Sequence, residues 1–188
     1  MKTYRERPSR KTIRLKEWDY STSGAYFVTI CAYKKECIFE DTVLVSIIKE
    51  QWQRLPNKFS CIELDEFVMM PNHIHCILWI NNVGATLAVA QDKRAGASPA
   101  PTLGNIVGAF KSIVSNEYLK WIKQNSLERP GVLWQRNYYE HIIRNEEELN
   151  RIRHYIQENP LKWDDDPENP KNIFSEEINN SEVFSYET

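Results

Sequence analysis

The apolar positions of the chain repeat with two periods, about two residues and about 3.6, and the switches between them lay out its elements. GAYFVTICAY (24–33) is β-branched and aromatic and predicts a first strand. Beyond Asp41, a helix-capping residue, Leu44, Ile47, Ile48, Trp52 and Leu55 follow helical spacing, with Pro56 expected to stop the helix. CIELDEFVMM (61–70) alternates and then turns fully apolar. MPNHIHCILWI (70–80) follows across a Pro71-Asn72 turn signal, so the two segments predict a hairpin. Thr102 caps a long helix with Leu103, Ile106, Val107, Phe110, Ile113, Val114, Tyr118, Trp121 and Ile122 on one stripe. VLWQRNYYEHII (132–143) returns to strand character. Asn145 then caps EEELNRIRHYIQE, whose acidic first turn suits the helix dipole and which ends before Pro160. The order β-α-β-β-α-β plus one helix is that of an α+β, ferredoxin-like split βαβ sandwich: an antiparallel sheet, two helices on one face, and an additional C-terminal helix.

Residues 83–102, VGATLAVAQDKRAGASPAPT, interrupt this pattern with Ala, Gly and Pro and read as a flexible insertion. The expected organisation is a basic arm (1–20), one domain (21–163) and an acidic tail (164–188). At 188 residues, 41% hydrophobic and 12% aromatic, the chain can bury a core of its own. No stretch approaches the roughly 18 apolar residues of a membrane span, and the N-terminal residues lack a signal-peptide apolar region, so a cytoplasmic protein with no membrane partner is expected. Cys31, Cys37, Cys61 and Cys76 show no paired spacing and read as buried thiols.

The net charge of -2 and pI near 6.1 argue against a uniformly basic nucleic-acid binder, yet the charge is segregated. Residues 1–16 carry seven basic side chains against Glu6, a formal +6, whereas 158–188 carry two basic against nine acidic, a formal -7. A basic arm with Arg10, Lys11 and Arg14 suits contact with a polyanion, or keeps a solvated tail soluble.

Candidate chemistry begins with His73 and His75. Strand alternation puts both on one face, about 7 Å apart along the backbone, where two imidazoles either share a metal ion or hydrogen-bond near a strand start. On the last helix Leu149, Ile152 and Ile156 form the apolar stripe; Tyr155 lies at its edge with Asn159 one turn on, facing the same way. By themselves these two read equally as a core-edge aromatic and a helix-end residue before proline. His154 projects about 100° away and reads as surface. In LWQRNYYEHIIRN, Tyr139, His141 and Ile143 share a face. His141 is either a site support or a structural histidine, and Trp134 and Arg136 either grip unpaired bases or, for Trp134, pack the core.

Four blocks, IRLKEWDYSTSGAYFVTIC, MPNHIHCILWI, LWQRNYYEHIIRNEEEL and YIQENPLKW, resemble the REP-associated tyrosine transposases, a branch of the HUH (His, hydrophobic, His) single-strand DNA transposases, from about residue 12 to 163. The resemblance implies a ferredoxin-like fold, His73 and His75 as the HUH histidines, Tyr155 as nucleophile, and Asn159 as the third metal ligand. It also implies Mg2+ or Mn2+ as cofactor, single-stranded DNA with hairpins as partner, and cleavage and rejoining through a 5′-phosphotyrosine in a nucleoid-associated protein. Whether Tyr155 serves its own chain or a homodimer partner stays open at this level. The rival readings are a ferredoxin-like module that binds structured DNA or RNA without cutting it, and a metal phosphoesterase that uses water.

Overall fold

The computed structural model describes residues 22–81, 101–128 and 132–172. In chain order they form β1 (Gly24–Cys31), α1 (Thr42–Lys58), β2 (Ile62–Met69), β3 (His73–Ile80), α2 (Leu103–Gln124), β4 (Tyr139–Ile143) and α3 (Glu146–Glu158). A tight turn, Tyr33–Lys35, follows β1, and a 3-10 turn, Asn159–Asp165, follows α3. The sheet has four strands in the order β2-β3-β1-β4, each pair antiparallel. This is the split βαβ arrangement expected from the element order.

Alternation sends successive residues to opposite faces, and the two faces are covered differently. Tyr26, Val28 and Ile30 of β1 and Ile74, Cys76, Leu78 and Ile80 of β3 join one continuous core with α1 (Leu44, Ile48, Trp52, Leu55) and α2 (Ile106, Phe110, Val114). The intervening residues Ala25 and Ile77, with Phe27, Val68 and Trp79 at the margin, face α3 through Leu149, Ile152 and Ile156. The helix starts are fastened as the capping residues predict. The Asp41 carboxylate accepts from the backbone N–H of Val43 and Leu44 and from the Tyr118 hydroxyl, at 2.8 Å, which also ties α2 to the start of α1. Thr102 and Asn105 form a reciprocal capping box, and Asn145 accepts from Glu148.

The structure revises several expectations. Pro56 lies inside α1, which runs on to Lys58: a proline in the last turn forfeits one N–H bond, while Phe59 still donates to the Leu55 carbonyl at 2.9 Å. The last strand is shorter than its apolar run. Residues 132–138 make only an isolated bridge, Ala32 to Trp134, because the Lys111 ammonium takes the carbonyls of Gln135 (2.6 Å) and Asn137 (3.0 Å). Burial pulls that ammonium down to about 8. The acidic stretch is not all tail, since Asp166 and Asn169 are buried against the domain. β2 also carries a bulge: Leu64 pairs with Leu78 but Phe67 with Cys76, so Asp65 and Glu66 together stand opposite Ile77. The basic arm with Arg10, Lys11 and Arg14, nearly all of the 83–102 insertion, and the chain past residue 172 lie outside the described residues. Among those described, no helix is long and apolar enough to cross a membrane.

Candidate active site

Three elements converge on the face under α3. β3 starts directly after the Met70–Asn72 turn, and this turn is pinned by its own backbone: Ala32 N–H to Asn72 O, Phe39 N–H to Pro71 O, and Met70 N–H to His73 O. His73 is fully buried and His75 nearly so, with their rings 4.5 Å apart. Phe27 of β1 stacks on His75 at 5.3 Å and meets Tyr155 edge-on at 6.1 Å. Tyr155 reaches in from α3, half exposed, with its hydroxyl 3.4 Å from His75 Nε2. Asn159, one turn on and buried, lies close enough to Tyr155 to favour its phenolate form. His73, His75, Tyr155 and Asn159 are thus brought together within one chain.

Hydrogen bonds fix the protonation pattern of the first histidine. The Asn72 amide donates through Nδ2 to the carbonyls of Lys35 (3.1 Å) and Glu168 (2.6 Å), so its oxygen faces His73 Nδ1 at 2.8 Å. His73 must therefore carry its proton on Nδ1, and its Nε2 is left as a bare lone pair. His75 Nδ1 lies 2.8 Å from the Thr29 hydroxyl, which can give or accept a proton. The two Nε2 atoms face each other at 3.0 Å. Either His75 bridges that gap with an N–H, or a cation sits against both lone pairs; two nitrogen ligands roughly 2.1 Å from an octahedral ion are about 3.0 Å apart. Burial pushes the His73 imidazole down to about 4, helped by Lys35, and burial followed by His73 itself pushes His75 down to about 3. Both rings are then neutral at pH 7, the state in which imidazole binds metals.

A third candidate donor is the amide of Asn159, whose Oδ1 is buried without a hydrogen-bond partner. A buried, unpaired acceptor one turn from Tyr155, together with the two facing histidine nitrogens, is a donor set a divalent ion satisfies, and on this ground the residues fit such a group. Among the described residues no group of three or more His, Cys, Asp and Glu side chains is arranged to hold a metal. The buried Asp166 carboxylate stands 3.8 Å from His73 Nε2, near enough to favour positive charge there. Burial raises the Tyr155 phenol above its usual range, with Asp166 and Glu168 adding to the effect and Asn159 opposing it.

The other sequence candidates lie elsewhere. Trp134 is half-buried against Phe39 and Phe110, and its indole N–H is used inside the protein by Lys111 O and Ser115 Oγ, both at 3.0 Å. Arg136 is exposed on the segment before β4. His141 bonds Glu148 at 2.8 Å, linking β4 to α3, and His154 pairs with Glu158 on the surface. Sequence reading missed Thr29, Asn72 and Asp166, and it missed the latch on α3. Arg153 makes a two-pronged contact with Asp65 (3.0 and 2.6 Å), Trp79 donates to the same carboxylate at 3.0 Å, and Gln157 bonds Glu66 at 2.7 Å. The β2 bulge turns both acids toward the helix. Only Asn72, immediately before the paired histidines, carried a local signal.

No family model matches the chain. Over 172 residues it is 39% identical to an uncharacterized protein of Haemophilus influenzae (strain ATCC 51907 / DSM 11121 / KW20 / Rd), an alignment spanning 84% of this chain and 91% of that one. The chain belongs to that protein's family. Its fold is that of a REP-associated tyrosine transposase solved bound to a REP hairpin, with a TM-score of 0.50 and 17% identity over 80% of this chain and 74% of the other. The resemblance drawn from the four sequence blocks therefore holds at the level of fold, including the antiparallel sheet with helices packed on it.

Proposed function

We propose that this protein is a DNA transposase of the HUH type that nicks and rejoins single-stranded DNA bearing hairpins, with Tyr155 as nucleophile. The observation that carries the reading is the meeting of Tyr155 Oη and His75 Nε2 at 3.4 Å beside His73 and the unpaired Asn159 oxygen, on a fold shared with a hairpin-bound transposase. A water-using phosphoesterase has no need of the tyrosine, and a binding module has no need of the histidine pair.

A phosphodiester repels nucleophiles, so cleavage asks for an oriented oxygen and neutralised charge. The docking of α3 orients Tyr155, and the nearby Asn159 amide favours the phenolate. A divalent ion, Mg2+ or Mn2+, held by His73, His75 and Asn159 would supply Lewis-acid neutralisation of the phosphate. In the reaction the phenol proton leaves to water and a phosphorus–Oη bond forms. The phosphorus–O3′ bond breaks, and the departing oxygen takes a proton to become a free 3′-hydroxyl. Attack of a 3′-hydroxyl on the phosphotyrosine reverses these steps and rejoins a strand, with no external energy source. Tyr155 lies beside the histidines of its own chain, which supports action in cis. A DNA substrate puts the protein at the nucleoid.

The test is denaturing gel electrophoresis of protein incubated with end-labelled, hairpin-bearing single strands and Mn2+ or Mg2+. Label should remain on the wild type through denaturation and be absent from Tyr155→Phe and from EDTA-treated samples. Hydrolysis that persists in Tyr155→Phe would instead favour the phosphoesterase, and binding without any adduct the non-cutting module.

A further inference from the structure

One aromatic ring on the site face of the sheet has no part in the chemistry above. The register sets Val68, His75, Thr29 and Tyr139 in a single row across all four strands. Paired residues project to the same face, and the Thr29 to His75 hydrogen bond identifies that face as the one carrying the site. Tyr139 therefore stands two strands from His75, roughly 10 Å away between backbones. α3 covers the middle of this face through Leu149, Ile152 and Ile156, and β4 begins at Tyr139, which is 45% exposed. A lone exposed aromatic needs no explanation. This one continues the row of the reacting groups.

Exposed cations flank it. Lys34 and Arg136 are exposed on the two segments that flank this end of the sheet. Lys34 and Lys35 are both held at positive φ, 54° and 58°, a conformation that costs a non-glycine residue free energy and persists where the surroundings impose it. The turn aims Lys35 inward to Glu168, at 2.8 Å, and leaves Lys34 in solvent.

We propose that Tyr139 is a stacking platform for an unpaired nucleobase next to the phosphate held at the histidine pair, with Lys34 and Arg136 contacting the neighbouring backbone phosphates. The inference rests on the nicking reading for its direction but concerns a separate surface. An aromatic face beside cations is how proteins hold single strands without reading their sequence. A duplex, whose bases are already stacked and paired, offers no face to this ring.

The probe is a single-stranded oligothymidylate carrying 2-aminopurine, whose fluorescence falls on stacking, compared with the same strand in a duplex. Wild type should quench the single strand and leave the duplex unchanged. Tyr139→Ala should lose the quenching and bind about tenfold more weakly, Tyr139→Leu should behave like Ala although it keeps apolar bulk, and Tyr139→Phe should match wild type. Equal affinity and quenching in wild type and Tyr139→Leu overturns the proposal, as does a wild type that ignores single strands. The two readings fail separately. A Tyr155 adduct with no effect of Tyr139 variants sinks only the platform, whereas Tyr139-dependent quenching without any adduct sinks only the nicking.

Discussion

The two faces of the sheet are built from alternate residues of the same strands, yet they are different kinds of surface. On one, Ile74, Cys76, Leu78 and Ile80 disappear under two long helices into the main core. On the other, His73 and His75 alternate with them on β3 beneath a single helix with a short apolar stripe, and much of what holds that helix is polar. The thick core lies on the first face and the candidate site on the second. Residue-by-residue alternation lets one strand serve both, with the rigid face acting as the mount for the reactive one.

The comparison can be tested by substitutions on each side. The largest effect on stability is expected from Phe110→Ala, a truncation in the thick core that should cost about 3–5 kcal/mol in denaturant unfolding. A cost near that of a surface change would mean that the core relaxes around the cavity. Thr29→Val, on the site face, should cost about 1–3 kcal/mol by leaving His75 Nδ1 buried without its partner. It should also weaken Mn2+ binding, followed by electron paramagnetic resonance, roughly ten- to a hundredfold. Unchanged Mn2+ affinity would strip Thr29 of any orienting role.

Breaking the latch with Asp65→Ala should cost about 1 kcal/mol, since the Arg153 pair is partly exposed and screened by solvent. The yield of Tyr155 adduct should fall by more than this small loss implies, and the exchange Asp65→Arg with Arg153→Asp should restore part of it. The pair also has a pH signature. Arg153 holds the Asp65 carboxyl below its usual range, so its contribution is complete above the unfolded carboxylate value of about 3.9 and disappears as pH falls through the lower folded value. In Asp65→Ala the acid limb of the stability curve should be flatter. At the bottom of the scale, His154→Ala, next to Tyr155 in sequence but on the outer side of α3, should leave both melting temperature and adduct yield unchanged.

The element order was legible because each helix carries both a capping residue and a stripe, and each long strand either alternates or is bounded by a turn. What failed did so for tertiary reasons. The apolar run from Val132 reads as strand throughout, but a distant side chain, Lys111, takes the carbonyls its first half would have offered to a neighbour. The placement of His73, His75, Tyr155 and Asn159 was legible from strand and helix periodicity joined to a family resemblance. Their supports were not. Thr29 is an ordinary strand threonine until register sets it opposite His75. Asp65 and Glu66 face the tyrosine helix only because a bulge breaks an alternation that looks regular in sequence. Asp166 belongs to a segment whose composition reads as tail.

The reach of Glu168 back to Asn72 also bears on how the protein comes into being on the ribosome. The sheet lacks its last strand until residue 143 has emerged, and the carbonyl that orients the Asn72 amide comes later still, 96 positions along the chain. The histidines are therefore synthesised well before the residues that complete the contacts of Asn72 and that supply Tyr155 and Asn159. A nascent or prematurely ended chain would hold the inert half of the molecule without the reactive half. On the proposed reading as a DNA-cutting enzyme, this order of synthesis withholds Tyr155 and Asn159 from unfinished copies.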